Sequence, residues 1–185
     1  MKLMILGLTL FLGLHILPTA PRLRNRLVVR LGEKRYRGLF ALGAAVGLVL
    51  IIAGYSMSGG RAPLFAPFPA AHAAAPFLVS LAFVLFAAAN MKTHIRKTIG
   101  HPMLLGLLLW SGVHLLANGD LAGTVLFGSF FAYALVALVS AIQRRAVKLF
   151  DARWSHDAIA VISGIVLALV TIRFHPAIFG TGPVA

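Results

Sequence analysis

Residues 71–90 read AHAAAPFLVSLAFVLFAAAN. Apart from His72 they carry no titratable side chain, and their number is what an α-helix rising 1.5 Å per residue needs to cross a hydrocarbon core roughly 30 Å thick. Outward from this stretch the same signature recurs over 2–20, 38–56, 102–118, 121–142 and 157–174. With 60% of its 185 residues hydrophobic and 11% charged, the chain is too apolar for a water-soluble domain. The expected fold is an all-α, polytopic membrane bundle of about six transmembrane helices, one transmembrane domain over 1–185. Six spans leave no length for a soluble catalytic domain, and the absence of cysteine removes disulfides, thiolate ligands and iron–sulfur clusters.

Charge sets the orientation. Seventeen Lys and Arg stand against four Asp and Glu, a net charge of +13. In a soluble protein that excess would suggest nucleic acid; here topology accounts for it, and no nucleic-acid partner is expected. Arg22, Arg24, Arg26, Arg30, Lys34, Arg35 and Arg37 follow the first span, Lys92, Arg96 and Lys97 the third, and Arg144, Arg145, Lys148 and Arg153 the fifth. Only Lys2, Arg61 and Arg173 lie at the opposite ends. The positive-inside rule therefore puts both termini outside. The first span reads as a retained anchor rather than a cleaved signal, because Pro18, Pro21 and a dense arginine cluster occupy the flank where a cleavage site would stand.

Arg22, Arg26, Arg30 and Lys34 recur every four residues beside Leu23, Leu27 and Leu31. A helix with one basic and one apolar ridge lies along a membrane surface, where Arg22 to Arg37 would meet anionic lipid headgroups. Gly43 and Gly47 form a GxxxG that lets another helix of the same chain approach closely. Gly59, Gly60, Pro63, Pro67 and Pro69 make 57–70 a re-entrant or outer loop. Asn118-Gly119-Asp120 predicts a tight turn with Asp120 capping the next helix.

Chemistry at membrane depth then falls to the histidines. An intramembrane imidazole is costly without a partner and is a common ligand of haem iron and transition metals. His114 follows Trp110 by one turn in an apolar span, so both side chains are candidates for the bundle interior. His15 stands one turn before Pro18. His101 precedes Pro102 at the start of the fourth span, at the mouth of an expected pocket to which Gly106 and Gly112 would admit a hydrophobic or diatomic ligand. His94, His156 and His175 lie near loops and are expected to be solvated; His72 starts the third span. Glu33, Asp120, Asp151 and Asp157 all lie near segment ends, which leaves paired-carboxylate catalysis and hard-metal sites without ligands. Phosphate-loop, dinucleotide and HExxH motifs are missing as well.

The stretch His101-Pro102-Met103-Leu104-Leu105-Gly106, Trp110, His114-Leu115-Leu116-Ala117-Asn118-Gly119-Asp120 and Leu126-Phe127-Gly128 resembles the NnrU family, and Gly32-Glu33-Lys34-Arg35-Tyr36-Arg37 with His15, Pro18 and Pro21 extends the likeness. The resemblance implies a bacterial inner-membrane protein associated with denitrification and nitric oxide or nitrite metabolism. That family is in turn similar to zeta-carotene isomerase, a haem b enzyme, and the likeness implies haem b on His114 with His15 as second axial ligand. Counted along straight helices from His101 and Arg24, His114 stands about 20 Å and His15 about 13 Å above the basic edge, a mismatch that tilt or the Pro18 kink must absorb. A more distant likeness of His101-Pro102, Gly106 and Trp110 is to isoprenylcysteine carboxyl methyltransferases. Three classes follow: a haem-binding redox or sensing protein, a haem-dependent polyene isomerase, and a non-catalytic membrane assembly protein.

Overall fold

A computed structural model describes residues 1–58, 62–146 and 149–179; Gly59, Gly60, Arg61, Lys148 and the C-terminal tail lie outside the described residues. Among the described residues eight α-helices follow one another: α1 (Lys2–Ile16), α2 (Pro21–Leu31), α3 (Glu33–Ser56), α4 (Pro69–Ala89), α5 (His94–Ile99), α6 (Pro102–Asn118), α7 (Leu121–Gln143) and α8 (Trp154–Phe179). Among the described residues five stretches are long and apolar enough to cross a membrane, Lys2–Thr19, Glu33–Ser56, Pro69–Ala89, Leu121–Gln143 and Trp154–Ala177, and α6 is a shorter apolar helix of 17 residues. The chain is a multi-pass membrane protein. Its helices pack as two units, Met1–Arg61 and Ala62–Ala185.

In the first unit α1 packs along α3, and small residues set how closely. A Cβ added to Gly47 would lie 3.0 Å from the Phe11 backbone nitrogen, and one added to Gly7 would lie 2.6 Å from Ile51 N. A Cβ at Gly54 would overlap Met4 N and lie 2.7 Å from Met4 Cα. The GxxxG thus serves packing within the chain, as its spacing predicts. Helix α2 buries none of its residues, which suits an element lying on a surface. The basic ridge, however, is shorter than the four-residue spacing predicts. Gly32 adopts φ +77° and ends α2, a conformation that costs glycine little, so Lys34 belongs to α3. Beside it Glu33 accepts a 2.8 Å bond from Arg37.

In the second unit α4 packs against α6 and α8, and α6 against α7. The segment before α4 is extended and fastened: Leu64 and Phe65 N–H both donate to Gly119 O, Phe68 N–H to Leu116 O, and Leu121 N–H to Ala62 O. This strap puts the start of α4 beside the end of α6. At the other end Arg153 N–H donates to Lys92 O at 2.9 Å and Lys92 N–H to His156 Nδ1 at 3.2 Å, joining the end of α4 to the start of α8. Since α6 begins beside Ala89 and ends at the strap, it runs the full length of the unit despite its 17 residues. Asp120 caps α7, its Oδ1 accepting from Gly123 N–H at 2.7 Å, and Gly119 takes the left-handed φ of +65° that the turn needs.

The basic end holds a second cap that joins distant parts of the chain. Asp157 Oδ2 accepts from His94 N–H at 3.0 Å and His94 Nδ1 at 2.7 Å, while Oδ1 accepts from Ile95 N–H at 3.1 Å. The His94 ring stacks on Trp154 at 4.0 Å. The N–H groups at the start of a helix have no partner of their own, and here an acid from α8 supplies one to α5. His94 and His156, expected in solvent, are therefore structural groups. Asp157→Ala is expected to lower the thermal midpoint in detergent by several degrees, and Asp157→Asn, which keeps one acceptor oxygen, by less. Equal midpoints for Asp157→Ala and the wild-type chain would show that the clasp carries no stability.

Candidate functional site

Helix α6 supplies the most developed polar group in the second unit. His114 Nδ1 lies 2.7 Å from Trp110 O, one turn back. A carbonyl only accepts, so Nδ1 carries the hydrogen, and in the neutral ring the lone pair sits on Nε2. Aromatic neighbours pack around the ring: it stacks on Phe127 of α7 at 4.7 Å and 29°, and the Trp110 ring lies 5.2 Å away, tilted by 44°. Trp110 in turn meets Phe127 and Phe130 edge-on at 5.1 and 5.6 Å. Ala71 and Val79 of α4 pack with Val113 and Ala117 of α6, and Trp110 packs against them.

His15 in the first unit repeats the device. Its Nδ1 donates to Phe11 O at 2.7 Å, and its ring stacks on Phe11 at 4.1 Å and meets Phe40 of α3 at 5.1 Å. In both helices an aromatic residue four positions earlier provides the carbonyl that fixes the tautomer, and a neighbouring helix provides a ring. The i, i+4 pairs Phe11/His15 and Trp110/His114 are legible in the sequence. Phe40 and Phe127 are not, because only packing brings them in.

His72, in the first turn of α4, has a different environment. Its Nδ1 is buried and has no hydrogen-bond partner among the described residues. A buried ring nitrogen left unpaired is costly, so His72 joins the candidate groups at this end of the unit. His175, expected in solvent, lies within α8, half-buried and in electrostatic range of His114. Among the described residues no three His, Asp or Glu side chains are grouped to hold a metal ion.

His101 stands at the basic end. Its carbonyl accepts from Leu104 and Leu105 N–H, both at 3.2 Å, but its side chain makes no capping bond. The half-buried ring lines a cleft of about 190 Å³ with Arg96, Gly100, Pro102 and Phe150 among its walls. Gly106 and Gly112 do not open toward a ligand there. A Cβ on Gly106 would lie 2.9 Å from the Phe86 ring, and one on Gly112 would lie 3.3 Å from the Phe131 ring. Both glycines make room for neighbouring helices instead.

A family model described as NnrU protein matches residues 3–183. No curated protein and no solved structure shows a significant match to the chain.

Proposed function

Because the chain belongs to the NnrU family, we propose that it is a bacterial inner-membrane protein of denitrification and nitric oxide or nitrite metabolism that holds haem b through His114. The observation that carries this reading is the orientation of the imidazole: Nδ1–H is spent on Trp110 O at 2.7 Å, which leaves Nε2 as the donor. A second partner on the outer ring nitrogen is the usual arrangement for a metal-ligating histidine, since it fixes both tautomer and ring direction. His15 makes the same bond to Phe11 O, so its ring chemistry would suit a haem ligand as well. Trp110 acts as a positioning residue, supplying the carbonyl and a tilted ring contact. A bound haem would supply an iron able to take up a diatomic ligand or exchange an electron. The chain's own groups would orient the ligand ring and, through Trp110, Phe127 and Phe130, keep water away from it. Absorption spectra of the detergent-purified protein, oxidised and reduced, test this: a Soret band that shifts on reduction is expected, and its absence after reconstitution with haem would leave the assembly-protein alternative. A carotenoid or other polyene changed in geometry by the haem-loaded protein would favour the isomerase alternative.

The topology proposed with it has six crossings and both termini outside. It is supported by the end-to-end run of α6 and by the gathering of Lys92, Arg96, Arg144 and Arg153 on one set of connections. Helix α2, with Arg22, Arg26 and Arg30, would lie on anionic headgroups at that face, at roughly 1 kcal/mol per basic group. Reporter fusions at Arg61 and Ala185 should both read outside. A cytoplasmic reading from either would overturn the six-span arrangement.

A further inference from the structure

The cleft at His101 is made of rigid parts. Thr93 is fully buried, caps α5 by accepting from Arg96 N–H at 2.9 Å, and donates to Ala88 O at 3.4 Å. Gly100 ends α5 with φ +77°, and Pro102 opens α6 directly afterwards. Arg96 and His101 are thus set on the two sides of one glycine turn, both facing the cleft. Ala146, Phe150, Ala89, Met103 and Leu104 are among its other walls.

The cation in this cleft has little to satisfy it. The ion pairs among the described residues are Arg37 with Glu33 and His94 with Asp157, so Arg96 has no carboxylate. Its guanidinium lies 5.1 Å from the centroid of the Phe150 ring and makes one long bond, 3.5 Å, to Met91 O. An arginine fork matches the oxygens of a phosphate. The walls add a requirement that a simple anion does not meet: Met103, Leu104, Ala89 and Ala146 are apolar, and Met103 is 41% exposed. The volume adds another. About 190 Å³ is less than the roughly 300–1,000 Å³ of sites that enclose a whole cofactor or drug-sized ligand. A headgroup fits it if the rest of the ligand lies outside, along the helices.

We infer that the Arg96–His101 cleft binds the phosphate of an anionic phospholipid, with its acyl chains running past Met103 and Leu104. Basic recesses between transmembrane helices are sites of this kind. Arg96 makes the phosphate contacts, His101 adds a ring N–H, and the apolar wall distinguishes a lipid phosphate from a free one.

Native mass spectrometry of the full chain in detergent, titrated with phosphatidylglycerol or phosphatidylcholine, tests the assignment. Wild-type protein should retain one phosphatidylglycerol about tenfold more tightly than phosphatidylcholine. Arg96→Gln should lose that preference, and Lys97→Gln, an exposed neighbour outside the cleft, should keep it. Met103→Trp, which fills the apolar wall without touching the charge, should weaken phosphatidylglycerol independently and decides the matter if Arg96→Gln does not fold. Equal retention of both lipids, retention by Arg96→Gln or Met103→Trp at the wild-type level, or an equal loss in Lys97→Gln would overturn the site. Inorganic phosphate at millimolar concentration should not displace the lipid; displacement would make this a free-phosphate site and overturn the lipid assignment.

Discussion

His114→Ala is expected to abolish the Soret band of the haem-reconstituted protein while far-UV circular dichroism stays at the wild-type level. Among the described residues the ring's hydrogen bond goes to the carbonyl of its own helix at Trp110, so its removal costs the stacking contact with Phe127 of α7 but breaks no hydrogen bond between helices and leaves the α6 backbone bonds intact. What disappears is a single nitrogen donor held at a fixed angle, for which no neighbouring side chain of α6 can substitute. Trp110→Phe should retain the band, because the bond uses the main-chain carbonyl. His15→Ala separates the ligation schemes. Loss of the low-spin signature in both His114→Ala and His15→Ala supports the pair; loss in His114→Ala alone rules the pair out; an unchanged band in both rules out the site. His72→Ala should then be measured, since its buried Nδ1 makes it a further candidate donor in the second unit.

Gly54→Val should push α1 away from α3 and cost about 3 kcal/mol, at the upper end of what overpacking usually costs. The obstacle is main chain rather than a movable side chain: the added Cβ would overlap Met4 N and lie 2.8 Å from Leu3 C. Met4 is fully buried at this crossing, so relief requires moving the helix rather than turning one side chain. Reversible unfolding in mixed detergent, followed by circular dichroism, reads the effect. Gly38→Val is the matching control, because a Cβ there meets nothing within 4 Å. Equal midpoints for the two variants would show that the close approach at Gly54 does not hold the hairpin together.

The helices were legible wherever uncharged length was the signal, and so was the cap at Asp120, because a helix terminus writes its chemistry into adjacent residues. Lys34 was misplaced on the basic ridge for a local reason: periodicity continued through Gly32, but the backbone did not. The Asp157 clasp was out of reach for a different one. His94 and Asp157 look like loop residues when read singly, and they meet only because α4 and α8 pack. At the candidate site the sequence gives away His114, His15 and Trp110 through cost and spacing, while the rings that hold the imidazoles, Phe40 and Phe127, come from other helices. Gly106 misleads in the same way. A small residue beside a histidine reads as room for a ligand until Phe86 is seen to fill it.

The strap before α4 also sets an order of events during synthesis. The amides of Leu64 and Phe65 find their acceptor in Gly119 O, and the amide of Phe68 finds its own in Leu116 O. At about 5–20 residues per second, some 3–11 s separate the emergence of Leu64 from that of Gly119. Through that interval the segment before α4 has no acceptor to close on, and a chain arrested before residue 116 should show rapid amide exchange at 64, 65 and 68. Completion of the α6–α7 turn is therefore the step that fastens the entrance of α4.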